Sequence, residues 1–429
     1  MQIESISATP GVTGFYADDQ RAIADGASQD GFVYEGDPVT EGFDRIRQPG
    51  ESLIVTIDLS DGDAVRGDCA AVQYSGAGGR DPLFRATDHV STVEGPIQDA
   101  LSGHSADAFA ENAATIEELS VDGDRLHTAI RYGISQALLA AAARARRTTM
   151  TDVVADAIDA TPATRPIPVF GQSGDERYEN AEKMLLSRVP VLPHGLFNSV
   201  EKVGTDGDRL RQYLEWLSDR TAELGGREYE PTFHVDVYGT IGTLFDPPYD
   251  RPAVVEYVAE LAAAAAPYSL QIEGPVDAGD REAQLAAMGE LRDGLADAGV
   301  DVDIVADEWC NTLDDVQAFV DAGAADVVQV KTPDLGGLQR SAAAVRYCEG
   351  TETRAYLGGT CNETATSARA TAHVALATKA AQVLAKPGMG FDEGHMIVEN
   401  EMRRTVDRRR RRTTDASQTD VAGRGGDAR

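Results

Sequence analysis

Lysine is nearly absent from this chain of 429 residues: only Lys183, Lys202, Lys331, Lys379 and Lys386 occur, and the other 34 of its 39 basic residues are arginine. Positive charge as a whole is scarce, 39 basic against 71 acidic residues, giving a net charge of −32 and a sequence pI near 4.5. Such a surface repels nucleic acid and anionic membranes, so neither is expected as a partner. Cysteine is sparse, and Cys69, Cys310, Cys348 and Cys361 show neither metal-ligand nor redox spacing. Long apolar runs are missing too. The Ala-rich stretch from Leu261 to Ala266 follows Glu256 and Glu260 and is too short to cross a bilayer. The first residues, MQIESISATPGVTGFYADDQ, lack the basic start and apolar core of a secretory signal. A cytoplasmic protein with free thiols is expected.

What is present suffices for two or three domains, since 42% of the residues are apolar. The acidic, lysine-poor surface fits life in concentrated salt, where a Debye length of about 3 Å at 1 M screens self-repulsion. Residues 1–160 predict an α+β domain: short strand patterns (GFVYEG, SLIVTIDLS, AVRGDCAAVQY) precede a mostly helical stretch from Glu117 to Ala160. Between them lies the glycine-rich QYSGAGGRDPLF, either a surface loop or a lid over a site elsewhere.

Residues 161–402 repeat a strand-then-helix rhythm. Eight strand candidates follow one another: RPIPVFGQ, RVPVLPHG, TFHVDVYG, SLQIEGP, VDIVADEW, DVVQVKTP, RAYLGGT and AQVLAKPG. Eight such units in one chain predict a TIM-type β/α barrel, with a doubly wound open sheet as the other α/β architecture. No GxGxxG follows the first strand, so a dinucleotide site has no support. Residues 403–429, beginning RRTVDRRRRRTT, lack apolar periodicity and are expected to form a disordered tail.

Three consecutive strands end in carboxylates, Asp236, Glu273 and Asp307, and the next ends in Lys331, at steps of 37, 34 and 24 residues. Each step can hold a strand-helix unit, which delivers strand-end groups to the barrel mouth. Each carboxylate alone could simply cap the next helix. Together they form a hard oxygen site suited to Mg²⁺. A lysine beside a divalent cation is expected to have a lowered pKa and to act as a base, removing a proton α to a carboxylate whose developing charge the metal takes. His194 ends the second strand, opposite the sixth, and would stand on the other face of one substrate. Gln172, Gln329 and Thr360, with Cys361 beside it, end further strands and suit holding a carboxylate or ammonium group. Gln329 and Lys331 share a strand face, as do His234 and Asp236.

The motifs HVDVYGTIG, QIEGP, VADEWCNT, KTPDLGG, LGGTCNET and AKPGMGFDEG, with TPGVTGFY, TEGFDRIRQPGES and GDCAAVQYSGAGGRDPLF upstream, closely resemble the methylaspartate ammonia-lyase family of the enolase superfamily. The resemblance spans about Thr9 to Arg404. It implies an α+β capping domain on a modified β/α barrel, Mg²⁺, activation by a monovalent cation such as K⁺, and a homodimer. It further implies a small amino-acid substrate, L-threo-3-methylaspartate, converted reversibly to mesaconate and ammonia. On these positions Lys331 would remove the C3 proton, with His194 on the other face, and Asp236, Glu273 and Asp307 would bind Mg²⁺. Gln172, Gln329, Thr360 and Cys361 would hold the substrate, while Gln73 and Leu384 would border its amino-group and methyl ends. The family suggests a place in glutamate breakdown or in acetate assimilation through methylaspartate. The competing enzyme class in the superfamily, cycloisomerase or racemase, usually carries a second-strand lysine where this chain has PHG. A non-enzymatic module would have no need of all four charged strand ends.

Overall fold

The computed structural model describes residues 1–226, 228–245 and 250–424, with side chains up to residue 412. The first part of the chain builds a three-stranded antiparallel sheet of β1 (Ile3–Asp18), β2 (Arg47–Leu59) and β3 (Ala64–Ala70), with β2 in the centre. Two of these strands match the sequence patterns; β1 does not stand out, because Pro10, Gly11 and Gly14 break its alternation. GFVYEG contributes only the two-residue strand Val33–Tyr34 of a small hairpin.

The helical stretch resolves into α1 (Thr128–Ala145) and α2 (Met150–Ala157), preceded by a short hairpin at 120–125. Helix α1 is rich in alanine and buried on all sides, not amphipathic, because it lies against β3 on one flank and the barrel on the other. Glycine makes that approach possible: a Cβ on Gly133 would stand 2.5 Å from the Cys69 amide nitrogen. A reciprocal capping box between Thr149 and Asp152 starts α2.

All eight expected barrel strands form, and they pair in parallel, each with its sequence neighbour, into a closed barrel. They are β4 (Val169–Phe170), β5 (Val191–His194), β6 (Thr232–Asp236), β7 (Leu270–Glu273), β8 (Asp303–Ala306), β9 (Val327–Val330), β10 (Arg354–Leu357) and β11 (Val383–Leu384). Closure of β11 onto β4 excludes the open doubly wound sheet. Amphipathic helices cover the outside, among them α3 (Asp208–Gly225), α4 (Arg281–Ala298) and α5 (Leu313–Asp321); α4 stops at Gly299, whose φ of 69° supplies the left-handed cap.

Alternation along the strands separates two environments. Phe233, Val235, Ile272, Ile304, Val328 and Val330 face the helices and join the main core. Phe170, Val191, Val305, Val327, Tyr356 and Leu384 fill the barrel interior, with the polar strand-end residues above them. Among the described residues no helix is long and apolar enough to cross a membrane, and the four cysteines are buried free thiols.

The arginine-rich segment from Arg403 differs from the expected disordered tail. It continues α6 (Asp392–Arg424). Met402 and Thr405 are buried, Arg403, Arg410 and Arg411 pair with Glu399 and Asp407 of the same helix, and Arg409 donates to Asp152 of the body at 2.7 Å. Its last five positions lie outside the described residues.

Candidate active site

Parallel strands end on one side of the barrel, and the β6 to β9 ends bring Asp236, Glu273, Asp307 and Lys331 together there. Lys331 Nζ stands 2.6 and 2.8 Å from the two oxygens of Asp307. Across the mouth His194 Nε2 approaches Asp236 Oδ2 at 3.4 Å, and His194, Asp236 and Glu273 each have one ligand atom within 4.8 Å of the others. His194 has a left-handed backbone, φ 66°, as do Tyr238 and Trp309 just past the ends of β6 and β8. Such strain in residues other than glycine is common where a side chain must be aimed.

Glu273 lies beneath this layer. It accepts hydrogen bonds from His234 Nε2 at 2.8 Å, Tyr356 OH at 2.5 Å and the Gln329 amide. Burial opposes its charge, but these donors and the histidines outweigh it and hold the Glu273 pKa below the ordinary carboxylate value. Among the described residues Asp236 accepts a hydrogen bond from the Tyr238 amide alone, at 3.2 Å. Burial and the charges of Glu273 and Asp307 push its carboxyl well above the usual range. The Glu308 carboxyl, next to Asp307, has its pKa raised by desolvation and by Asp307 and Asp236, and its buried Oε2 has no hydrogen-bond partner among the described residues. Buried carboxylates with repelling charges are the chemistry of a cation site; the groups whose ligand atoms converge are Asp236, Glu273 and the His194 imidazole, and the carboxylate oxygens among them fit a hard divalent ion.

The protein groups around Lys331 pull its charge in opposite directions. Burial and Arg80 disfavour its charge, but Asp307, Asp334 and Glu308 prevail and raise its pKa above that of ordinary lysine. The expected lowering thus requires a cation that draws the Asp307 charge away from the amine. Burial lowers the His194 pKa, favouring the neutral imidazole.

Gln73, Gln172, Gln329, Thr360, Cys361 and Leu384 line the same small cavity as His194, Asp236, Asp307 and Lys331. Gln73 and Cys361 meet at 2.9 Å, and Gln172 donates to Gly388 O at 2.7 Å. Gln329 spends its amide nitrogen on Glu273 and leaves its buried Oε1 without a partner among the described residues. A larger cavity of about 870 Å³, near Arg177 and Lys202, holds none of these groups, so chemistry and not size locates the site.

The glycine-rich segment is more than a surface loop. Its Arg80 reaches the site, 2.9 Å from Asp334 Oδ2 and 3.5 Å from Asp307 Oδ1, and Gly78 O accepts from Asn311 at 2.6 Å. Sequence reasoning missed Arg80 and Glu308, and it placed His234 on the strand face of Asp236 without giving it a role. It also missed a fully buried brace in which Lys386 Nζ donates to Glu363 Oε1 at 2.7 Å, Gly358 O at 2.7 Å and Thr332 Oγ1 at 3.0 Å. Tyr132 of α1 donates to the same Glu363 at 2.7 Å. Scarcity of lysine was the available signal for Lys386.

Family models described as methylaspartate ammonia-lyase N-terminus and C-terminus match residues 1–159 and 161–411. A methylaspartate ammonia-lyase of Haloarcula marismortui is 68% identical over 412 residues, covering 95% of this chain and 98% of that protein. The crystal structure of beta-methylaspartase from Clostridium tetanomorphum as its Mg complex superposes with a TM-score of 0.89 at 51% identity, covering 96% of this chain and 100% of that one. That of the Citrobacter amalonaticus methylaspartate ammonia lyase containing (2S,3S)-3-methylaspartic acid gives 0.92 at 50% identity, covering 95% and 99%. With both halves matched and identity this high over nearly its full length, the chain belongs to the methylaspartate ammonia-lyase family.

Proposed function

We infer that the protein is a carbon-nitrogen lyase that eliminates ammonia reversibly from L-threo-3-methylaspartate to give mesaconate. The observation that carries this is the pairing of Lys331 and His194, from barrel strands on opposite sides, over one cavity that also holds strand-end carboxylates, in a chain 68% identical to a named methylaspartate ammonia-lyase. Lys331, as the free amine, removes the C3 proton. His194, neutral and on the other face, serves the epimer whose proton points that way. Gln172, Gln329, Thr360 and Cys361 hold the substrate, with Gln73 at its amino group and Leu384 at its methyl group.

Asp236, Glu273 and Asp307 would hold Mg²⁺, which supplies positive charge against the negative charge growing on the carboxylate next to C3 and against the Lys331 ammonium. The Mg complex of the Clostridium relative supports that choice of ion. K⁺ as an activating ion, a homodimer and a cytoplasmic, salt-adapted setting belong to the same reading, the last supported by the net charge of −32.

The test is ultraviolet absorbance of the conjugated diacid after adding 3-methylaspartate with Mg²⁺, in concentrated and in dilute KCl. Absorbance should rise in concentrated KCl and fall off in dilute KCl. A folded protein that produces none at any salt concentration refutes the reading.

A further inference from the structure

Gln73 turns one end of its side-chain amide to the cavity and the other to a charge behind it. Its Nε2 donates to Asp18 Oδ2 at 2.7 Å, and its Oε1, on the cavity side, accepts from Cys361 Sγ at 2.9 Å. The main chain is clamped: the Gln73 amide donates to Thr360 Oγ1 at 3.2 Å and its carbonyl accepts from the Asp18 amide at 3.0 Å. Rotation of the terminal amide is the remaining freedom.

Asp18 decides that rotation. It is fully buried and receives Arg47 Nε at 2.7 Å and Nη2 at 2.6 Å, a bidentate pair that needs the ionised carboxylate. The guanidinium is packed within 4.6 to 5.6 Å of the ring centres of Phe32, Tyr34 and Phe15, so the pair cannot swing away. An ionised carboxylate accepts and never donates. Turning the Gln73 amide over would set Oε1 against Asp18 Oδ2 with no proton between them and aim two N–H groups at the cavity.

We propose that Asp18, held by Arg47, is a positioning residue that fixes the polarity of the Gln73 amide, so that a hydrogen-bond acceptor faces the place of the substrate ammonium group. This rests on the functional reading above, which puts that group beside Gln73. Asp18 thereby selects for a cationic, hydrogen-bond-donating amine at this end of the cavity without touching it.

Kinetics in the amination direction test this, because ammonium and mesaconate are varied separately. In Asp18→Asn the new amide can donate to Gln73 Oε1 and turn the Gln73 N–H groups toward the cavity. The KM for ammonium should rise about tenfold or more, the range expected for losing a hydrogen bond to a charged group, while the KM for mesaconate holds. The swap Asp18→Asn/Gln73→Glu reverses donor and acceptor but again shows an oxygen to the cavity, and should bring the ammonium KM back to within about threefold of the parent.

Should Asp18→Asn fail to fold because Arg47 loses its counter-charge, Arg47→Met/Asp18→Asn carries the same expectation with no buried charge left alone. An equal rise in both KM values, or no recovery in the swap, overturns the proposal and leaves the lyase reading intact. An unsubstituted enzyme with no amination activity overturns both.

Discussion

Replacing Lys386 with methionine tests what a fully buried ion pair contributes to stability. Lys386 and Glu363 are both fully buried, 0% exposed, and 2.7 Å apart. Burial pulls the Lys386 pKa below the ordinary lysine value, and Glu363 opposes it. In Lys386→Met, Glu363 keeps Tyr132 OH and the Thr360 amide as donors but loses its counter-charge, and Gly358 O loses its 2.7 Å partner. Breaking one side of a buried pair costs about 3–5 kcal/mol, of which an unmet carbonyl accounts for ~1–3. Removing both charges in Lys386→Met/Glu363→Leu is far milder, about 1–2 kcal/mol, because a buried pair replaced by apolar groups often breaks even. Tyr132 retains Thr371 Oγ1 at 3.1 Å in that variant. Urea unfolding midpoints in concentrated KCl for both single variants and the double variant close the cycle, with an expected coupling energy above ~2 kcal/mol. A loss below ~1 kcal/mol in Lys386→Met, or additive single effects, would show that the pair is solvated or not ionised and refute the reasoning.

Other outcomes follow from the site. Lys331→Ala should abolish exchange of the C3 hydrogen with deuterated solvent for the threo substrate, and His194→Ala should damage turnover of the erythro epimer more than of the threo one; hydrogen-exchange spectra and epimer-resolved rates check both. Asp236→Asn should weaken Mg²⁺ binding by tenfold or more, on the order expected for altering a metal-site carboxylate, read by calorimetric titration without substrate. Asp152 concerns acid stability: burial opposes its charge, but Thr149, Arg409 and Thr148 together lower its pKa to about 2. A depressed carboxylate contributes stability above its unfolded pKa of 3.8 and loses it as pH falls toward 2. The shift corresponds to ~2 kcal/mol, and screening at this partly exposed position reduces it to about 1. Asp152→Asn should therefore be less stable near pH 7 by that amount and equal to the parent near pH 2, measured by thermal unfolding across pH.

Much of this architecture is legible in the chain because strand ends carry their own punctuation. A β-branched run closed by Asp236, Glu273, Asp307 or Lys331 marks both the element and its functional end, and these four strands and the other four of the barrel all appear where the sequence patterns place them. Residues that act from a distance are not so marked. Arg80 reads as one arginine among 34, and only the folded cap sets it beside Asp334 and Asp307. Strand β1 is hidden because its pairing with β2, not its own alternation, sustains it through Pro10 and Gly11. The arginine-rich helix is opaque for a similar reason: Asp152 and the buried Thr405 supply what its local pattern lacks. The direction of the Lys331 shift depends on the balance of four neighbouring charges, which spacing along a chain cannot give.

The cavity wall is shared between distant parts of the chain. Thr360 and Cys361 meet Gln73 across separations of 287 and 288 residues, and Tyr132 of the cap closes onto a glutamate of the barrel. Cap and barrel therefore do not behave as interchangeable cassettes. A chimaera that trades one for a relative's inherits a wall whose two halves were never matched, and a library meant to reshape the pocket gains most from varying positions near 73 and 361 together.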